Sequence, residues 1–70
     1  MSKAVWTRTM TDGNGNETTL DLMPRTNFGE PLGDQVGVIL HNDFMSIGIG
    51  LSDDDRVAFA NALLNAGPAA

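Results

Sequence analysis

The chain has 70 residues, a net charge of −5 with only four basic side chains, no cysteine and one histidine. That length allows one small domain with a marginal core, and the missing cysteines exclude disulfides, thiolate zinc sites and iron–sulfur clusters. A single histidine also argues against an imidazole-rich metal site, so a partner chain is the remaining way to staple so small a fold, and a homo-oligomer is expected.

The basic residues Lys3, Arg8, Arg25 and Arg56 are scattered, which disfavours nucleic acid as a partner because no basic stripe overcomes the acidic field. Nine carboxylates are too sparse to make mimicry of DNA the leading idea. With 41% hydrophobic and 19% charged residues the composition is that of a folded chain. No segment reads as a secretory leader or a membrane span, and a cytoplasmic setting without membrane contact is the expectation. The sequon Asn16-Glu17-Thr18 means little without a leader.

The first predicted elements are strands at about 3–11 and 17–23, rich in Thr, Val, Trp and Leu, residues that suit a pleated surface. Between them "TDGNGNE" is hairpin punctuation. Two registers compete. A two-residue turn at Asn14-Gly15 sets Arg8 opposite Asp21, whereas a three-residue loop from Asn14 to Asn16 sets Met10 opposite Leu20 and Arg8 opposite Leu22. The second places Ala4, Trp6, Met10, Leu20 and Leu22 on one face and Thr7, Thr9, Thr11, Thr19 and Asp21 on the other. The hydrophobic pattern favours it.

A loop over 24–34 follows, with two prolines and two glycines. Its large apolar residues, Phe28 and Leu32, either plug the underside of the sheet or form an exposed binding element.

Strands at about 35–41 and 45–51 form a second hairpin. An Asn42-Asp43 turn sets Leu40 opposite Met45, Val38 opposite Ile47 and Val36 opposite Ile49, all on one face. The reverse face carries Gly37 opposite Gly48, Ile39 opposite Ser46 and His41 opposite Phe44. Bare backbone at the glycines admits close approach by another element.

A helix is predicted over about 53–66. Ser52 is a good N-cap, Asp53, Asp54 and Asp55 complement the dipole, and Gly67 with Pro68 ends it. Its apolar arc is about twice the ~100° that one sheet requires. Phe59, Leu63 and Ala66 form one flank, and Val57, Ala60 and Leu64 the other. One flank is therefore available to another chain.

The fold class is α+β: two consecutive β-hairpins in a roughly four-stranded antiparallel sheet, with one C-terminal helix packed on it. Chemistry is hard to find. From Asp12 the oxygen-bearing residues Asp12, Asn14 and Asn16 follow calcium-loop spacing, but Glu17 stands where glycine is needed and Met23 where the bidentate glutamate is needed. His41, Asp43 and Ser46 are the ingredients of a nucleophilic triad at an exposed tip, without an oxyanion hole. Gly48 and Gly50 alternate within a strand and make no phosphate cradle. Trp6, Met10, Met23 and Phe28 read as core or as a partner patch.

No enzyme, cofactor or metal is expected. The reading is a small, self-associating protein-binding module that occupies a partner protein's surface, as accessory proteins of bacteria or phages do. A structural subunit of a larger complex or virion is the alternative. The candidate interface residues are Phe59, Leu63, Ala66, Gly37, Ile39, Gly48, Phe44, Phe28 and Leu32.

Overall fold

A computed structural model describes residues 3–67. The order is β1 (Trp6–Thr11), β2 (Glu17–Leu22), β3 (Thr26–Asn27), β4 (Asp34–His41), β5 (Ser46–Leu51) and α1 (Asp53–Ala66). All strand pairs are antiparallel. In space β2 and β3 share one side of β4 and β5 takes the other, so β1 and β5 are the two edges of a half-barrel. The expected α+β class is what the chain adopts. One addition is β3, a two-residue strand inside the expected 24–34 loop, where Thr26 pairs with Gln35 and Asn27 with Asp34.

Both hairpins are displaced from the expected registers, and for the same reason. In the first, Arg8 lies opposite Leu20, Trp6 opposite Leu22 and Met10 opposite Thr18, so neither expected register forms. The loop has three residues, but they are Gly13, Asn14 and Gly15, closed by Asp12 N–H donating to Asn16 O at 2.8 Å. The Asp12 carboxylate sets this length: Oδ1 accepts from the amides of Asn14 and Asn16, and Oδ2 from the Thr18 hydroxyl. Gly15, at φ 83°, supplies the left-handed residue such a loop requires. The shift is even in residue count, so the expected division of faces survives it.

In the second hairpin Leu40 lies opposite Ile47, Val38 opposite Ile49 and Val36 opposite Leu51. Asn42 was expected at the turn's tip and instead closes it. Its amide donates to Met45 O, and its side-chain Oδ1 accepts from the amides of Phe44 and Met45. Asp43 and Phe44 form the tip. Gly37 therefore pairs with Gly50 and Ile39 with Gly48, while His41 faces Ser46 rather than Phe44. An Asx side chain that caps the backbone two residues on outweighs turn preference at the tip itself.

The helix follows β5 after one residue. Ser52 Oγ accepts from Asp55 N at 3.2 Å, as N-cap chemistry requires. Arg25 bridges Asp34 and Asp53 at 2.9 Å each, tying the helix start to the loop side of the sheet. These ions are half-exposed and hold orientation more than they stabilise. Gly67 ends the helix at φ 47°, and Pro68 lies outside the described residues. Helix and sheet together make a slab of 38 × 34 × 19 Å.

Candidate interaction surface

Residues directly opposite in an antiparallel pair share a face, so the registers define two faces. One carries Trp6 and Met10 of β1 and Leu20 and Leu22 of β2. It continues through Val36, Val38 and Leu40 of β4 to Leu51, Ile49 and Ile47 of β5. The result is a four-strand apolar face interrupted by Arg8 and Thr18. Helix α1 covers only one end of it, touching β4 and β5.

Phe59, Ala60 and Leu63 stand over Val36, Val38 and Leu51 across a cavity of about 470 Å³. Among the described residues Val36 alone is buried, at 9% exposure. Ile49, which would be core in a sealed sheet, is 63% exposed, and Trp6, Met10, Leu40 and Ile47 are also exposed. The accessible surface is 5660 Å², against about 4,200 Å² for a compact monomer of this mass. The apolar material of a core is present and lies open.

The helix flanks divide differently from the expectation. Phe59, Ala60 and Leu63 line the cavity against the chain's own sheet, whereas Ala66, Val57 and Leu64 do not, and Leu64 is 80% exposed.

The opposite face is polar along β1 and β2 and bonded to itself. Asp21 accepts from the Thr7 hydroxyl on one oxygen and meets His41 Nε2 at 2.8 Å on the other. Thr9 and Thr19 hydroxyls pair at 2.9 Å. On the apolar face, at the hairpin end, Asn42 Nδ2 donates to Thr18, which donates to Asp12. The amide of Asn16 holds the Asp12 carboxyl below its ordinary value, and the Thr7 hydroxyl, followed by His41, does the same for Asp21.

Toward the β3 end this second face becomes an apolar groove of about 380 Å³ bounded by Phe28, Leu32, Met23 and Ile39. Phe28 and Leu32 do not plug the sheet: they remain 57% and 58% exposed. The glycines are only partly bare. A Cβ on Gly37 would sit 3.3 Å from Met23 Cβ, one on Gly50 would collide with the Gln35 side chain, and one on Gly48 would meet Ile39 Cγ1 at an ordinary 3.6 Å. Phe44 stands at the hairpin tip, 79% exposed, apart from both cavities.

The structure thus brings Phe28, Leu32, Gly37, Ile39 and Gly48 together, and separately Phe59 and Leu63; Ala66 and Phe44 join neither group. Sequence reasoning left Ile47 and Ile49 out of the candidate interface because their face has the pattern of a core, yet both are exposed. It also missed Asp21 as the partner of His41, taking Asp43 instead, since the β2–β4 pairing joins residues distant in sequence. Ser46 stands opposite His41, yet neither residue lines a cavity. The Asp12 oxygens are occupied by the loop itself. Among the described residues no three His, Asp or Glu side chains gather as metal ligands, and no helix is long and apolar enough to cross a membrane. No protein-family model, curated protein or solved structure matches the chain.

Proposed function

We propose that the chain is a non-enzymatic protein-binding module whose working form is an assembly, with the open apolar face as its contact surface. One observation carries this reading: a strand-paired sheet exposes Ile47, Ile49, Leu40, Trp6 and Met10 on one continuous face while only Val36 is buried among the described residues. Apolar surface of this extent on a soluble chain marks a protein contact. The surplus over a compact monomer, roughly 1,400 Å² per chain, lies in the range that an obligate interface removes from each partner. Covering it would both stabilise the fold and occupy the surface of whatever covers it.

The reading is tested by placing a photo-crosslinking residue at Ile49 and, as control, at Thr9 on the polar face. A protein adduct from Ile49, whether to a second copy or to another chain, with none from Thr9, is expected. Equal or absent crosslinking at both sites contradicts it. A structural subunit of a larger complex is the second reading, favoured by the two sheet edges, β1 and β5, that no other strand covers. Open-ended growth with concentration, rather than one closed species, would be its mark.

A further inference from the structure

The two edges of the sheet are not alike, and the difference selects a partner. Proteins protect exposed edges with charges, prolines, bulges or a charged side chain aimed at the core face. On β1, Arg8 lies on the apolar face between Trp6 and Met10, opposite Leu20. On β5 the sequence Ser46-Ile47-Gly48-Ile49-Gly50-Leu51 has no charge and no proline, and its pairing with β4 runs from Ser46 to Leu51 without a bulge. It is an unprotected edge.

Its free hydrogen-bonding groups can be assigned. Asn42 N–H donates to Met45 O at the closed end of the β4–β5 ladder, and on the other side of β4 Met23 N–H donates to Gly37 O. Antiparallel alternation then turns the amides and carbonyls of Ile47, Ile49 and Leu51 toward β4. Those of Ser46, Gly48 and Gly50 point outward.

We infer that β5 pairs antiparallel with β5 of a second copy about a twofold axis at Gly48, joining two half-barrels whose apolar faces close on each other. This rests on the reading of the apolar face as a contact surface and names its occupant. At this register Gly48 faces Gly48 of the second copy and Ser46 faces Gly50, so every outward group of the edge is bonded. Ile47 faces Ile49 across the seam on the apolar side, which continues the hydrophobic stripe. An odd offset would set those residues against glycine and break it.

The helix agrees with this geometry. Each α1 covers only its own Val36 and Leu51 end, and an antiparallel seam puts the two helices at opposite ends of the joined structure. Removing about 1,400 Å² from each of two chains gives roughly 2,800 Å² in total, within the range of obligate homodimers. Arg8 keeps the β1 edge from propagating the sheet.

Two measurements test the seam. Amide hydrogen exchange on the unaltered chain should show Gly48 and Gly50 protected at least a hundredfold, in step with Ile47 and Ile49. A Gly48→Cys variant, in a chain with no other cysteine, should oxidise to a covalent dimer, because hydrogen-bonded antiparallel pairs hold their Cα atoms about 5.5 Å apart, within disulfide reach. Thr9→Cys, on the β1 edge, should not. Free exchange at Gly48 and Gly50 overturns the seam and needs no variant to be folded. Protection without the Gly48→Cys dimer overturns the twofold at Gly48. If Ile49 crosslinks only to a different protein, the contact surface stands and the second copy does not.

Discussion

The two faces of this sheet are built from the same strands and differ in what they lack. On the threonine side Asp21 holds Thr7 and His41, and Thr9 pairs with Thr19; its polar groups need nothing further. On the other side the residues that should form a core surround an opening, and the helix reaches only one end. Hydrogen bonds between neighbouring strands can be completed within 70 residues. Burial needs a second layer, and a chain this short supplies half of one. The incomplete face is therefore where the proposed partner would bind.

Substitutions on the two faces should diverge most at Ile49. Ile49→Asp puts a charge in the proposed closed interior. It should dissociate the assembly and lower stability by about 3 kcal/mol or more, read by light scattering and urea unfolding, whereas Thr9→Asp on the other face should leave the mass unchanged. A stable assembly of Ile49→Asp would assign that face to solvent. Next in size is Arg8→Leu. Removing the inward charge from β1 should convert a closed species into one whose sedimentation coefficient rises with concentration. Unchanged sedimentation would mean that the β1 edge is protected by something other than Arg8.

The polar face should show a smaller, pH-dependent effect. Asp12 and Asp21 are held below their ordinary value of 3.8 in the fold. The stability they contribute is present above that value and is lost as pH falls through their lowered folded values. Asp12→Asn with Asp21→Asn should weaken the fold at neutral pH and flatten its loss on acidification, as thermal melts across the acid range would show. The smallest change belongs to Phe44, which projects from the hairpin tip beyond both cavities. Phe44→Ser should alter stability by no more than about 0.5 kcal/mol and leave the mass unchanged. Dissociation would add the tip to the interface.

Periodicity sufficed for every element but the two-residue β3, for the α+β class and for the sharing of faces, because alternation along a strand survives a two-residue slip. It did not suffice for register. Asp12 and Asn42 each fix a turn through side-chain bonds to the backbone, and turn propensity alone assigned the first tip one residue late and the second one residue early. The openness of the apolar face was not legible for a different reason. Ile47 and Ile49 have the pattern of core residues, and among the described residues the fold leaves both exposed. The charge at Arg8 and the uncharged run of β5 stand in the sequence, but that β1 and β5 are edges does not follow from it.

The central claim, that the chain completes its core with a second copy, is tested most directly by the urea midpoint across a wide range of chain concentration. If folding and association are one step, the midpoint rises with concentration and the folded species has twice the mass of the chain. A midpoint independent of concentration, with a folded species of 7.4 kDa, would contradict the account.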